Sequence, residues 1–121
     1  MSTFEINGKE YELKITYAAV KRLNNVHEGG SFELIGKAMS GDFDTFPHIV
    51  HAGLIHTGEN FTLQNVEDAI GELIENEKLS FDDIMRLSNE VITNSFFYKP
   101  TVDKLVKQNP EMKQTLEQLL G

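Results

Sequence analysis

Residues 46–57 read Phe-Pro-His-Ile-Val-His-Ala-Gly-Leu-Ile-His-Thr and contain no Asp, Glu, Lys or Arg. The rest of the 121-residue chain is strongly charged, with a net charge of −8. A helix that is uncharged on most of its sides is typical of the interior of a protein. We therefore expect this neutral stretch to lie at the centre of the fold.

Composition indicates one folded domain with a single core. The chain has the length of a typical domain, and its eight Phe and three Tyr supply large side chains for burial. It has no Cys, which fits an intracellular domain without disulfides. The N-terminal residues lack the order of a signal peptide, and no apolar run approaches about 20 residues, so we expect a cytoplasmic protein without a membrane partner.

The charge is unevenly distributed. Residues 61–98 contain eight acidic and two basic residues, whereas residues 99–121 contain three acidic and four basic residues. Binding to nucleic acid depends on clustered Lys and Arg, which this acidic chain lacks. We therefore expect no nucleic-acid partner.

The N-terminal residues predict a β-hairpin over residues 3–15. Phe4 and Ile6 alternate with polar residues, and Tyr11 and Leu13 do so after the pair Asn7-Gly8. That pair favours the positive φ angles of a type I′ turn. A two-stranded hairpin is marginally stable alone, so it must pack on helices or pair with another chain.

Helical periodicity follows over residues 16–98. Thr16 is the expected cap of a first helix, and Ser31 that of a second helix ending at Gly41. We expect Asp42 or Asp44 to cap the neutral helix and Gly58 to end it. The apolar faces of the first two helices are predicted to include Tyr17, Val20, Leu23, Phe32, Leu34, Ile35, Ala38 and Met39.

Two longer amphipathic helices come next. Thr62 is expected to cap one of them, and Ser80 with Asp83 forms an approximate capping box for the other, predicted to be the longest helix. The core stripes of these helices are predicted to contain Leu63, Val66, Ile70, Leu73, Ile74, Phe81, Ile84, Met85, Ser88, Val91, Ile92, Ser95 and Phe96.

The sequence therefore predicts a mainly α (α+β) fold in which the hairpin precedes a compact bundle of five to six helices. We expect residues 1–98 to form one globular domain. Pro100 separates residues 99–121, which are expected to form short helices or a flexible extension, with Asn109-Pro110 starting the last helix.

Residue types with catalytic or ligand chemistry do not form a recognisable motif. His48, His51 and His56 are the only clustered potential ligands, but their spacing is poor for one metal ion, and no HExxH signature is present. Paired carboxylates such as Asp82-Asp83 are explained by helix capping and the helix dipole. We predict no catalytic residue, no metal and no cofactor.

Candidate binding residues lie near the C terminus. Phe96, Phe97 and Tyr98 are consecutive, so they cannot all face inward from one helix. They are either buried under the C-terminal segment or in contact with another protein. The same alternatives apply to Leu116, Leu119 and Leu120.

Three segments resemble the tail assembly chaperones of long-tailed (siphovirus-type) phages and prophages of Gram-positive bacteria. They are residues 31–42, which end in Gly41-Asp42, residues 46–54, and residues 62–74, which open with Thr-Leu-Gln-Asn-Val. In that family a short helix ends in Gly-Asp, an apolar helix ends near Gly-Leu, and a Thr-capped acidic helix follows. The similarity covers roughly residues 10–98.

The resemblance implies a non-enzymatic chaperone, acting in the host cytoplasm and absent from the mature virion. Such a protein binds the tape measure protein, keeps it soluble and helps to recruit tail tube protein, often through a longer form made by ribosomal frameshifting. Several copies are expected per client. Self-association through the hairpin edge or the last helix is a further expectation.

An alternative function belongs to a different class. The acidic stretch over residues 61–98 would allow the chain to mimic nucleic acid and inhibit a basic host protein. Mimics usually spread carboxylates over a wide face, whereas these belong to the solvated sides of two amphipathic helices.

Overall fold

The computed structural model describes residues 2–120, apart from the side chains of Met112, Thr115, Leu116, Leu119 and Leu120. Within that range the hairpin and five α-helices confirm the predicted α+β fold, and two further helices follow near the C terminus. The elements are β1 (Thr3–Ile6), β2 (Lys9–Glu12), α1 (Tyr17–Leu23), α2 (Gly30–Ser40), α3 (Phe46–Gly53), a 3₁₀ turn (Ile55–Thr57), α4 (Leu63–Glu75), α5 (Phe81–Ser88), a π turn (Asn89–Thr93), α6 (Lys99–Gln108) and α7 (Pro110–Leu120).

The hairpin has the predicted two-residue turn. Ile6 pairs with Lys9, and the residues between them, Asn7 and Gly8, have φ angles of 54° and 81°. Positive φ at both positions defines the type I′ turn, whose twist matches that of the strands. Phe4 and Ile6 are buried, so the hairpin presents its apolar face to the helices.

Helix α3 lies at the centre of the core, as its neutral composition predicts. It packs against α1, α4 and the π turn. The Phe46 ring also meets the Phe4 ring of the hairpin edge-on, with 6.4 Å between centroids. The residues of this stretch that are at most 2% exposed are Phe46, Ile49, Val50, Ala52 and Leu54.

The predicted cap of α3 is wrong, because the N-cap residue is Thr45 and neither Asp42 nor Asp44. Asp42 instead stabilises the turn that leads into the helix. Its Oδ2 accepts hydrogen bonds from the Thr45 backbone N–H at 3.0 Å and from the Thr45 hydroxyl at 2.7 Å. The predicted end at Gly58 is wrong for the α-helix, which ends at Gly53. Gly58 instead ends the 3₁₀ turn, with φ of 73°.

Capping boxes begin α4 and α5. Thr62 Oγ1 accepts from the Asn65 N–H while Asn65 Oδ1 accepts from the Thr62 N–H. Ser80 and Asp83 make the same reciprocal pair at the start of α5. Both predicted caps are therefore confirmed, and each satisfies two backbone donors that a helix start leaves free.

The start of α2 was predicted incorrectly. The helix begins at Gly30, so Ser31 lies inside it and caps nothing. Glu33 takes over part of that role, because its Oε1 accepts a hydrogen bond from the Gly29 N–H at 3.1 Å. The Glu33 carboxylate, in the first turn of α2, thus makes a hydrogen bond at the helix start that the Ser31 hydroxyl was expected to make.

The helix starting at Phe81 is shorter than predicted. It continues through the π turn only to Thr93, so Ser95 and Phe96 lie beyond it. Helix α4 has the same length as this continuous stretch, so the prediction of a single longest helix here is wrong. In the π turn the Asn94 N–H donates to Asn89 O at 3.0 Å, five residues back. The buried Asn89 side chain donates to Met85 O at 2.7 Å and to Ala38 O at 3.3 Å, which ties this turn to α2.

Four aromatic residues predicted to lie on core stripes are exposed instead. Tyr17 is 80%, Phe32 69% and Phe81 58% exposed. Phe96, beyond the π turn, is 97% exposed. Tyr17 and Phe81 are the first residues of their helices, and Phe32 lies in the first turn of α2. These first turns extend past the edge of the core, whereas the predicted core residues Val66, Ile70, Ile84 and Val91 are buried.

The C-terminal segment is helical. Val102 of α6 is 3% exposed and belongs to the core, and α7 packs against α5 and the π turn. The domain boundary at residue 98 stays a prediction. Over residues 2–120 the structure contains no helix with the length and apolar character needed to cross a bilayer.

A matched pair of Phe→Ala variants tests the position of the core. Phe46→Ala should lower the free energy of unfolding by about 3–5 kcal/mol, because it removes a fully buried ring and leaves a cavity. Phe96→Ala should change it by less than about 0.5 kcal/mol, because that ring is 97% exposed. Urea unfolding followed by circular dichroism measures both, and similar losses would contradict the described core.

Candidate functional site

The residues between the π turn and α6 form a short fixed turn. The Ser95 hydroxyl donates to Ile92 O at 2.7 Å, and the Lys99 N–H donates to Ser95 O at 2.9 Å. The Val102 N–H donates to Tyr98 O at 3.0 Å. These bonds join the turn to the elements on both sides, and residues 95–98 are called the aromatic turn below.

The three consecutive aromatic residues have different environments. Phe96 is 97% and Phe97 55% exposed, whereas Tyr98 is only 2% exposed. The Phe97 and Tyr98 rings meet edge-on, with 5.0 Å between centroids. The prediction that Tyr98 is a contact residue is therefore wrong, because its side chain belongs to the core. Its burial anchors the turn from which Phe96 and Phe97 face the solvent.

The Tyr98 hydroxyl is an unusual feature of that anchor. It is buried and has no hydrogen-bond partner among the described side chains and backbone groups. Burial raises the pKa of its phenol above the ordinary value of 10. The contacts that the structure gives this side chain are therefore packing contacts of its ring.

The other three predicted contact residues are outside the described side chains. Leu116, Leu119 and Leu120 belong to α7, whose backbone is helical. Their role as contact residues stays a prediction.

A second apolar surface lies between the start of α3 and the side of α4, and is called the α3–α4 groove below. Its volume is about 270 Å³. Phe43 is 56% and Ile74 37% exposed, so both present apolar surface to the solvent. The residues that line the groove are Phe43, Asp44, Pro47, Glu67, Ile70, Gly71 and Ile74.

The sequence did not reveal this groove. Phe43 received no role, and Ile74 was assigned to the core stripe of α4. Phe43 follows Asp42 in the turn that leads into α3. Only the tertiary packing brings it to α4, so no local signal in the sequence indicates the groove.

Two histidines of the neutral stretch bond to different backbone carbonyls. His51 Nε2 donates to Phe61 O at 2.8 Å, and His56 Nε2 donates to Glu12 O at 2.6 Å, since a carbonyl only accepts. His27 contacts Thr45 Oγ1 at 3.0 Å and Glu33 Oε2 at 3.1 Å. Among the described residues no three His, Cys, Asp or Glu side chains lie together as a metal site would need.

His48 is half-buried beside other titratable groups. Burial lowers the pKa of its imidazole below the ordinary value of 6.5, and the nearby imidazoles of His27 and His51 act in the same direction. The carboxylate of Glu67, on the wall of the groove, partly offsets this by raising the pKa of His48. The folded protein therefore favours neutral His48.

Comparison with known proteins identifies a family. A family model described as "Phage tail assembly chaperone protein, TAC" matches residues 3–107, which is most of the chain. Neither the curated proteins nor the solved structures give a match. The matched region includes the hairpin, α1–α5, the aromatic turn and nearly all of α6.

Removal of the Tyr98 hydroxyl tests whether packing alone holds the aromatic turn. Tyr98→Phe should leave the free energy of unfolding unchanged or raise it by up to about 1 kcal/mol, because an unpaired buried hydroxyl is lost. Thermal unfolding of the two proteins measures the difference. A loss of more than about 1 kcal/mol would mean that the hydroxyl makes a stabilising hydrogen bond.

The pKa of His48 predicts a pH dependence of stability. Because the folded-state pKa is lowered, the unfolded chain binds more protons, so stability is fully present above about 6.5 and is lost as pH falls toward the folded-state pKa. His48→Gln should reduce this loss. Urea unfolding across this pH range measures it, and identical pH profiles for the two proteins would contradict the assignment.

Proposed function

This chain belongs to the phage tail assembly chaperone family, and we propose that it binds the tape measure protein of a long-tailed phage and keeps it soluble during tail assembly. The client exposes apolar helical surface before the tail tube encloses it. A chaperone for such a client needs apolar contact surface and a means of staying soluble. It acts by binding, without catalysis.

The observation that carries this proposal is the outward position of Phe96 and Phe97. Aromatic side chains contribute strongly to protein–protein contacts, and adjacent exposed rings are typical of surfaces that a partner covers. Tyr98 fixes the backbone beneath them through its burial in the core. The backbone that carries the two rings is therefore fixed before the client arrives, which reduces the entropy lost on binding.

The acidic charge supports the same function. With a net charge of −8, copies of the chain repel one another, and a client covered by several copies gains the same protection from aggregation. On this proposal the protein acts in the host cytoplasm and leaves before the virion is complete. A longer frameshifted form would recruit the tail tube protein.

Co-production with the tape measure protein tests the proposal. The wild-type chain should raise the soluble fraction of the client, measured by centrifugation and gel densitometry. The double variant Phe96→Ser/Phe97→Ser should lose most of that effect while its own circular dichroism spectrum stays unchanged, because both rings are exposed.

Tyr17→Ser is the matched control, because it removes an aromatic ring that is 80% exposed on a different helix. It should solubilise the client as well as the wild-type chain does. If the wild-type chain leaves the client insoluble, the proposed function is wrong. An equal loss from Tyr17→Ser would contradict the assignment to the aromatic turn.

A further inference from the structure

The α3–α4 groove combines an apolar floor with acidic walls. Phe43, Pro47, Ile70 and Ile74 supply the apolar surface, and carboxylates stand beside them. No ion pair among the described residues neutralises the groove carboxylates Asp44 and Glu67. Helix α4 contains no Lys or Arg, so no basic side chain of that helix offsets the acidic groove.

Gly71 keeps the floor of the groove open. It lies in the interior of α4 without a positive φ, so the backbone does not require glycine. A Cβ atom at this position would meet no atom within 4 Å, so internal packing does not require glycine either. Glycine weakens a helix relative to alanine, and it permits close approach of another backbone.

The size of the groove is compatible with inserted side chains. Its volume of about 270 Å³ is near the lower end of the range of roughly 300–1,000 Å³ that is typical of pockets for drug-sized ligands. An amphipathic helix that binds in a groove inserts apolar side chains one turn apart, which such a space can hold. The glycine would let the bound helix lie close to α4.

We propose that the α3–α4 groove binds an amphipathic helix of the client whose apolar side chains are flanked by Lys or Arg. The apolar side chains cover Phe43 and Ile74, and the basic side chains pair with Asp44 and Glu67. The acidic groove favours a basic client helix over a second copy of this chain, because that copy has a net charge of −8 and is repelled as a whole. This inference rests on the proposed function and names the chemistry of the recognised segment.

Synthetic peptides test the groove directly on the full-length chain. The probe is a fluorescent helical peptide with Leu residues one turn apart and Lys on both sides, measured by anisotropy at low and high salt. One control peptide has Glu in place of Lys, and the other has Gln in place of Leu. Binding should require both Lys and Leu and should weaken with salt, since the pairs are at the surface.

Two glycine variants form the matched test. Gly71→Leu should weaken binding of the Lys/Leu peptide about tenfold, because the new side chain occupies the groove. Gly36→Leu changes an interior glycine of α2 that likewise meets nothing within 4 Å, and it should leave the affinity unchanged. Both variants should remain folded by circular dichroism, because Leu favours helix more than Gly does.

A charge variant adds an independent readout. Asp44→Asn/Glu67→Gln should weaken binding of the Lys/Leu peptide and reduce its salt dependence. Three outcomes would each overturn the inference: unchanged affinity in Gly71→Leu, equal losses in Gly71→Leu and Gly36→Leu, or binding of the Glu peptide as tight as that of the Lys peptide. A changed oligomeric mass in Gly71→Leu with unchanged peptide affinity would assign the groove to self-association instead.

Co-production separates this inference from the proposed function. If the wild-type chain and Gly71→Leu solubilise the tape measure protein equally, the groove is not the client site, while the proposed function stands. If the wild-type chain fails to solubilise the client, the proposed function falls, while the peptide titration still reports on the groove. Loss of solubilisation in Gly71→Leu, but not in Gly36→Leu, supports both.

Discussion

Burial of the uncharged helix α3 is the constraint on which the rest of the structure depends. An exposed α3 would present Phe46, Ile49 and Val50 to water, and the helices around it prevent this. The segment that follows the hairpin is bonded to the same helix, because the Lys14 N–H donates to Gly53 O at 3.0 Å. Burial of apolar side chains throughout this core supplies most of the favourable free energy of folding, so the charged residues are left to the outer faces.

Local sequence signals predicted much of the fold. The Asn7-Gly8 turn, the caps at Thr16, Thr62 and Ser80, and the neutral core helix depend on interactions within a few residues, so the sequence alone reveals them. The π turn did not emerge from periodicity. Its buried Asn89 side chain donates to Ala38 O, 51 residues away in the sequence, and a contact of that kind leaves no local pattern. The exposed ring of Phe32 was missed because periodicity predicts the face of a residue but not whether the core extends that far.

The candidate surfaces were predictable to different degrees. Because three consecutive residues of a helix cannot all face inward, the sequence predicts that at least one of the three aromatic rings faces outward. Only the structure identifies Tyr98 as the buried anchor and Phe96 as the most exposed ring. The α3–α4 groove depends on packing between two helices, so neither Phe43 nor Gly71 indicated it locally. Both surfaces lie on elements attached to the core, which keeps them in shape without a client.

The central claim is that a rigid core holds two apolar surfaces ready for a client. Amide hydrogen exchange, measured by mass spectrometry on the free chain and on its complex with the tape measure protein, tests it most directly. The account predicts that α3 exchanges slowly in both states, while exchange slows on binding at the aromatic turn and along α4. A complex that forms without slower exchange at either surface, or a free chain whose α3 exchanges rapidly, would contradict it.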